Sequence, residues 1–280
     1  MIEEPGVSVS LQPSENWSAE GLLAERALAY AKQIALALSC PQRFQLNVEA
    51  SAAEHVGLGT GTQLGLAVAR ALALVCGHKK LDAVELAYRL GRGKRSALGI
   101  YGFARGGFLV EGGKGPNSKI APLIAHCDFP EPWSILLVLP KGEMGNYGIA
   151  EEEAFARLTR GPTDALCRLV LLGMLPALVE VDLSAFGEAL YEFNRRVGEV
   201  FQPIQGGIYA HSRSAAIVQF VRRQKISGVG QSSWGPAIFA IVERHRAAAL
   251  ADAVREHFNF SPAEVLITRA SRCGAEIREE

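Results

Sequence analysis

The chain has 280 residues, with 29 Lys and Arg against 29 Asp and Glu, so its formal net charge is zero. A neutral chain lacks the basic excess of a general nucleic-acid or membrane-surface binder, and we expect neither partner. Its longest apolar run, residues 166–181, contains Arg168 and Pro176 and predicts a buried helix rather than a membrane span. The five cysteines are widely spaced, which favours free, buried thiols in a cytoplasmic protein over a disulfide framework.

Hydrophobic periodicity predicts a mixture of helices and strands. In the first half we expect strands at residues 7–11 and 44–48, a helix capped by Ser18 and running to Leu38, and helices at 64–76 and 82–90. Strands at 107–111 and 134–139 follow. Later helices are predicted at 151–160, 163–180, 183–200 and around 250–258, with strands at 237–242 and 265–268. Because strand and helix do not alternate regularly, the pattern favours an α+β fold over a doubly wound sheet.

One loop is the best candidate for a domain boundary. Residues 140–147 include Pro140, Gly142 and Gly145, and such residues commonly interrupt regular structure. We therefore predict an N-terminal domain of residues 1–146, which contains the phosphate loop described next, and a C-terminal domain of residues 147–280.

A glycine loop at the start of an apolar helix is the strongest local signal. Alternate glycines expose backbone amides, and the amino end of a helix favours an anion, so phosphate is the expected ligand. The loop has neither a Walker Gly-Lys-Ser/Thr ending nor the context of a dinucleotide-binding unit. A simple tight turn before a core helix is the alternative. The candidate binding residues are Gly57, Leu58, Gly59, Thr60, Gly61, Thr62 and Gln63.

A second polar glycine loop spans residues 227–235. Two such loops on separate domains suggest one phosphate-rich ligand held between them, whereas a wide hairpin connection is the alternative for this loop. Its candidate binding residues are Gly228, Gly230, Gln231, Ser232 and Ser233.

Basic residues concentrate between Leu86 and Val110, a segment with no acid and five bases. Arginine forks suit phosphate oxygens, so the segment that contains Arg92, Lys94 and Arg95 is a candidate for binding an anion. A solvated basic face is the alternative. His126 and His211 are candidate proton handlers, with a structural hydrogen-bonding role as the alternative for each.

These segments resemble known proteins. HVGLGTGTQLGLAVARALA resembles the phosphate loop of the GHMP kinase superfamily, whose motif is Pro-x-x-x-Gly-Leu-Gly-Ser-Ser-Ala, and SGVGQSSWGPAIFA resembles its late glycine motif. GRGKRSALGIYGFARGGFLVEGG, QGGIYAHS and SGVGQSSWGP are similar to the β-ribofuranosylaminobenzene 5′-phosphate synthase family of that superfamily. This second resemblance extends over residues 5–277.

The resemblance implies a two-domain GHMP-kinase-like fold. The N-terminal domain is expected to be similar to the second domain of ribosomal protein S5, and the C-terminal domain to be ferredoxin-like. The implied reaction joins 5-phosphoribosyl 1-diphosphate to 4-aminobenzoate or 4-hydroxybenzoate, with loss of CO2 and pyrophosphate, in tetrahydromethanopterin biosynthesis. The resemblance also implies Mg²⁺ and favours a homodimer. With this reaction, Arg92, Lys94 and Arg95 become candidates for catalytic contact with the pyrophosphate and its metal.

The sequence departs from the superfamily and family patterns in two places, and each departure bears on an alternative function. Where the kinases have Ser-Gly-x-Asp, residues 95–100 contain no acid, which argues against the alternative of an ATP-dependent small-molecule kinase. The family typically has a further strand before the position that matches Met1, and we expect that strand to be missing. A catalytically silent binder of phosphoribosyl ligands is therefore the third hypothesis.

Overall fold

The computed structural model describes residues 1–141 and 163–278. Its residues form two compact units: Met1–Glu54, Gly59–Phe129 and Ala270–Glu280 in the first, and His55–Leu58 and Pro130–Arg269 in the second. The predicted domain boundary between residues 146 and 147 and the predicted helix at 151–160 lie outside the described residues, so both stay predictions.

A three-stranded sheet and four helices make up most of the first unit. The strands are β1 (Ser8–Ser14), β2 (Ser18–Gly21) and β3 (Arg43–Ala50), and the helices are α1 (Ala24–Ala37), α2 (Thr60–Val75), α3 (Ala83–Arg89) and α4 (Leu98–Arg105). β3 is central, antiparallel to β1 and parallel to β2. A separate antiparallel pair consists of β4 (Phe108–Glu111) and β5 (Leu123–Cys127).

The core of this unit follows the predicted periodicities. Phe44, Leu46 and Val48 alternate on β3 and are buried, as a half-buried strand requires. Leu64 and Leu72 on α2 are fully buried, and both belong to a cluster shared with α1 and α3. This packing fixes the direction in which the amino end of α2 points within the unit.

The second unit is built on a four-stranded antiparallel sheet with the order β7-β8-β6-β9. Its strands are β6 (Trp133–Val138), β7 (Gly228–Gln231), β8 (Ile238–Glu243) and β9 (Val265–Thr268). The described helices are α5 (Asp164–Arg168), a π-helical stretch (Leu169–Met174), α6 (Leu175–Val179), α7 (Leu183–Gln205), α8 (Ser212–Arg223) and α9 (Ala247–Phe258). Short 3₁₀ turns lie at Arg244–Arg246 and Pro262–Glu264.

Several sequence predictions are wrong in detail. Ser18 does not cap a helix, because residues 18–21 extend along β3 as β2 and the helix begins after Leu23, which has a left-handed backbone. The sequence pattern also missed α4, β5 and α8. The run 166–181 is not a fully buried helix, since Leu171, Leu172 and Val179 are 64%, 61% and 75% exposed.

The prediction of free, buried cysteines is also wrong. Cys40 and Cys76 form a disulfide with their Cα atoms 5.9 Å apart. Helices α1 and α2 pack side by side and end close to these two residues, so a sequence separation of 36 becomes a short distance. Two of the free cysteines, Cys167 and Cys273, are exposed.

None of the helices formed by residues 1–141 and 163–278 is long and apolar enough to cross a membrane.

An ion-pair network on α7 predicts a specific pH dependence of stability. Arg195 and Arg196 donate hydrogen bonds to Glu192, and the bonds from Arg195 are the main cause that lowers the pKa of Glu192 from 4.5 to about 2. A carboxylate with a lowered pKa stabilises the fold above its unfolded pKa, and this contribution is lost as the pH falls from 4.5 towards 2.

We therefore expect Glu192→Gln to lower the free energy of unfolding at pH 7 by about 1 kcal/mol or less, as for other half-exposed ion pairs. The loss should shrink as the pH approaches 2, where Glu192 is itself protonated. Urea denaturation at several pH values measures both effects. Glu256→Gln, at an exposed position of α9, is the control. Identical pH profiles for the two variants would contradict the assignment.

Candidate functional site: an anion-binding helix terminus and its arginines

The first predicted glycine loop is partly loop and partly helix. Gly59 has a left-handed backbone (φ 71°) and is the residue before α2, so Thr60 to Gln63 form the first helical turn. The amides of Thr62 and Gln63 donate to the carbonyl oxygen of Gly59. The amides before them lack helical acceptors, as at any helix start, and the helix dipole adds positive potential there.

Some side chains of this turn are hydrogen-bonded within the protein, and others remain able to bind a ligand. The Thr60 hydroxyl is buried and donates to the carbonyl of Ala53 at 2.9 Å. Gln63 Nε2 donates to the carbonyl of Gly99 at 2.8 Å, which ties α2 to α4. Within the described parts of the chain, the Thr62 hydroxyl makes no hydrogen bond. Backbone amides and Thr62 are therefore the groups at this helix start that remain able to bind an anion.

Two arginines converge beside this helix start within the first unit. Arg26 Nε donates to the Tyr30 hydroxyl at 3.1 Å, and Arg92 also donates to that same oxygen. Arg26 forms an ion pair with Glu54. Both guanidinium groups lie near the Tyr30 ring, with Cζ atoms 5.7 Å (Arg26) and 5.4 Å (Arg92) from its centroid. Two cations and one carboxylate leave one positive charge in this cluster.

Arg92, Lys94 and Arg95 differ in their surroundings. Arg92 is half-buried in the cluster with Tyr30, whereas Lys94 and Arg95 are exposed just before α4. Glu111, on β4, accepts a hydrogen bond from the amide of Ala97 at the amino end of α4. The Glu111 carboxylate thereby satisfies an amide at the start of α4.

The two candidate histidines belong to different units. His126 lies on β5 and is exposed, in register with Leu109 of β4. His211 is half-buried and precedes α8 in the second unit, where its carbonyl accepts from the amide of Ala215. Their catalytic roles stay predictions.

The second glycine loop begins as a strand. Residues 228–231 form β7. The side chain of Asn194 on α7 makes two hydrogen bonds with the backbone of Gln231: it donates to the carbonyl at 2.8 Å and accepts from the amide at 2.9 Å. The Gln231 side chain is buried; its Oε1 accepts from the amide of Ala210 and its Nε2 donates to the carbonyl of Ser233. Gln231 thereby holds the segment 206–211 against this loop.

Part of the first loop contacts the second one inside the second unit. The Ser232 hydroxyl donates to the carbonyl of Gly57 at 2.7 Å, and the amide of Ala237 donates to the carbonyl of Val56 at 3.1 Å. Gly57 has φ 89°, and a Cβ there would clash with the carbonyl oxygen of Ser232. Close approach of the two backbones therefore requires glycine at position 57.

Tyr209, in the same segment as Ala210, has a buried hydroxyl without a hydrogen-bond partner in the described chain. Burial raises the pKa of Tyr209 to about 12, so it is a neutral phenol at physiological pH. Trp133 and Trp234 are both buried: Trp133 packs on Phe186 and Trp234 on Phe201.

The comparisons with known proteins agree with this architecture. The family model for the GHMP kinases N terminal domain matches residues 23–107, and the model for the GHMP kinases C terminal domain matches residues 174–259. A solved structure of homoserine kinase from Cytophaga hutchinsonii superposes with a TM-score of 0.68 over 98% of this chain and 89% of that chain, at 15% identity. At this identity the likeness concerns the fold alone. The protein is a member of the GHMP kinase superfamily.

Two relatives narrow the class further. The β-ribofuranosylphenol 5′-phosphate synthase of Methanothermobacter thermautotrophicus is 30% identical, covering 98% of this chain and 88% of the relative. The enzyme of the same name from Archaeoglobus fulgidus is 31% identical, covering 99% and 90%. The chain belongs to the β-ribofuranosylphenol 5′-phosphate synthase family, a family of transferases, and the family and fold predicted from the sequence are confirmed.

The site contains residues that the sequence did not single out. Arg26, Tyr30 and Glu54 reach the start of α2 through tertiary packing. The four-residue spacing of Arg26 and Tyr30 on a helix indicates that they touch each other, yet it says nothing about α2.

Two glycines of the first loop provide a matched test of the backbone contact. Gly57 and Gly59 both have a positive φ, but only Gly57 faces a nearby backbone, since nothing lies within 4 Å of a Cβ built on Gly59. We expect Gly59→Ala to lower the free energy of unfolding by about 1 kcal/mol, the cost of a left-handed alanine. Gly57→Ala should cost clearly more, measured by urea denaturation. Equal losses would contradict the close contact with Ser232.

Gln231 provides a second test. We expect Gln231→Met to lower the free energy of unfolding by roughly 1–3 kcal/mol, because the amide of Ala210 loses its acceptor. Gln219→Met, at an exposed position of α8, is the matched control and should change stability little. Thermal and urea denaturation measure the difference. A Gln231 variant as stable as the control would show that the segment 206–211 is held by other contacts.

Proposed function

We propose that this transferase joins the ribose of 5-phosphoribosyl 1-diphosphate to a 4-substituted benzoate, releasing CO2 and pyrophosphate. The observation that carries the proposal is the family membership, because both relatives described above are named for a ribofuranosylphenol 5′-phosphate. We further propose tetrahydromethanopterin biosynthesis as the pathway, following the sequence resemblance.

The bond changes balance without an oxidant or reductant. The bond between the anomeric carbon of ribose and the diphosphate oxygen breaks, and its electron pair leaves with pyrophosphate. The ring carbon that carries the carboxylate attacks the anomeric carbon and forms a carbon–carbon bond. The carboxyl carbon then leaves as CO2, and the electron pair of the broken bond restores the aromatic ring.

Anion stabilisation is the main task that this reaction sets the protein. Negative charge grows on the departing diphosphate, and preorganised donors aimed at that charge lower the barrier. The first-turn amides of α2 supply such donors within the first unit, and the neighbouring cluster of Arg26, Arg92, Tyr30 and Glu54 carries one net positive charge. We propose that the start of α2 binds the diphosphate, with Arg92, Lys94 and Arg95 adding positive charge.

The acceptor is proposed from the relatives' name. A ribofuranosylphenol product arises from 4-hydroxybenzoate, whereas 4-aminobenzoate would give the corresponding aniline. We therefore propose 4-hydroxybenzoate as the acceptor and keep 4-aminobenzoate as the alternative. An acceptor for the phenol proton raises the electron density of the ring, and we propose His126 or His211 for this role.

Mg²⁺ is proposed to enter with the diphosphate. Within residues 1–141 and 163–278, no group of three or more His, Cys, Asp or Glu side chains is placed to hold a metal ion. Mg²⁺ is commonly bound through substrate phosphates, one or two carboxylates and water, so a diphosphate substrate supplies most of its ligands. When bound, it would neutralise charge on the leaving group. The predicted homodimer also stays a prediction.

The reaction is tested with 4-hydroxybenzoate labelled in its carboxyl carbon, incubated with 5-phosphoribosyl 1-diphosphate and Mg²⁺. We expect labelled CO2 and pyrophosphate in equal amounts, with no CO2 when the diphosphate is omitted. A parallel incubation with labelled 4-aminobenzoate identifies the preferred acceptor.

Two other outcomes would overturn the proposal. Consumption of ATP with small-molecule alcohols such as homoserine, without release of CO2, would favour a kinase of the same fold. Binding of 5-phosphoribosyl 1-diphosphate without turnover of either benzoate would favour a catalytically silent binder.

A further inference from the structure

The guanidinium of Arg26 packs against Gly61 at the start of α2. A Cβ built on Gly61 would lie 2.7 Å from Nη2 of Arg26 and 3.1 Å from its Cζ. The superfamily motif Gly-Leu-Gly-Ser-Ser-Ala aligns with residues 57–62, so Gly61 stands where the motif has its second serine. The guanidinium of Arg26 thus lies in the space that a side chain at position 61 would fill.

The free donors of Arg26 are those next to Gly61. Its Nε binds the Tyr30 hydroxyl and its Nη1 binds Glu54, whereas Nη2 makes no hydrogen bond to any described residue. The side chain is 32% exposed and so is partly open to solvent, and these donors are the part of the guanidinium that no described residue binds. They are fixed in direction by the two other contacts, which reduces the entropy lost when a ligand binds.

The neighbours of Arg26 favour an anionic ligand over a neutral one. Tyr30 is 7% exposed and already accepts from both Arg26 and Arg92, and its own O–H group has no acceptor in the described part of the chain. Glu54 neutralises only one of the two guanidinium groups. An anion at this place would accept from Nη2, from the Tyr30 hydroxyl and from the first-turn amides of α2.

We propose that Arg26 binds the diphosphate group directly, in place of the hydroxyl side chain that the superfamily motif has at position 61. Tyr30 and Glu54 act as positioning residues that aim the guanidinium at the start of α2. This inference rests on the proposed function for the identity of the ligand, but not for the position of the site.

The test measures binding of inorganic pyrophosphate to the full chain by titration calorimetry, with no benzoate present. We expect Arg26→Gln to raise the dissociation constant roughly tenfold or more, the effect of losing a charge-assisted hydrogen bond. Arg26→Lys should give an intermediate value, because it keeps the charge and loses the fork. The control is Arg70→Gln; Arg70 lies ten residues along α2 and donates to the carbonyls of Lys79 and Leu81. The dissociation constant of the Arg70→Gln variant should stay within about twofold of that of the unchanged protein, well below the tenfold effect.

Glu54→Gln separates binding from a merely structural role. It replaces the carboxylate with a neutral amide whose oxygen can still accept from Nη1, so the guanidinium keeps its position while the site loses a negative charge. We expect pyrophosphate to bind as tightly as before or more tightly. If Arg26 served only to hold Glu54, both variants would weaken binding alike, which would overturn the proposal.

The pyrophosphate titration tests this inference, whereas the release of labelled CO2 tests the proposed function, so the two can fail separately. Pyrophosphate binding that depends on Arg26 supports the inference even where no labelled CO2 is released. Release of CO2 together with unchanged pyrophosphate binding by Arg26→Gln would overturn the inference and leave the transferase reaction standing. Absence of pyrophosphate binding by the unchanged protein at millimolar concentration would also overturn it.

Discussion

Backbone amides without acceptors at the start of α2 are the feature on which the rest of the candidate site depends. A helix cannot satisfy its first amides itself, and here the residue before the helix is Gly59, which has no side chain to cap them. Arg26 and Arg92 add positive charge beside the same turn, and Gly61 leaves room for one of these guanidinium groups. The local backbone conformation and the electrostatic environment therefore favour the same kind of ligand.

Elements with strong periodicity were predictable, whereas elements stabilised by tertiary contacts were not. Strand β3 alternates buried and exposed residues, and the apolar body of α2 is buried, so both were expected from sequence. Strand β2 has only four residues and depends on pairing with β3, and helix α4 contains two glycines, which lower helix propensity. Neither carries a signal strong enough to be recognised alone.

In the candidate site, too, the residues marked by a local sequence pattern were predictable and those brought in by tertiary packing were not. The glycine loops and Arg92 stand out in the sequence because glycine spacing and charge concentration are local properties. Arg26 and Glu54 are separated by 28 residues and form an ion pair only because α1 packs beside the end of β3. Gln231 is predicted from its loop to contact a ligand, which stays a prediction, and the structure adds that its buried amide binds the backbone on both sides. No local sequence pattern distinguishes a glutamine that binds a ligand from one that binds the protein's own backbone.

The return of the chain to the first unit has a consequence for the order of synthesis. Ala270 pairs with Ile2, and Ser271 exchanges backbone hydrogen bonds with Met1 and Gly107, so the segment from Ala270 returns to the unit that contains Met1–Glu54. Pro130–Arg269, the main part of the second unit, is made before that segment. A nascent chain therefore contains every residue of the second unit while the first still lacks one of its pieces, so the second is free to fold earlier.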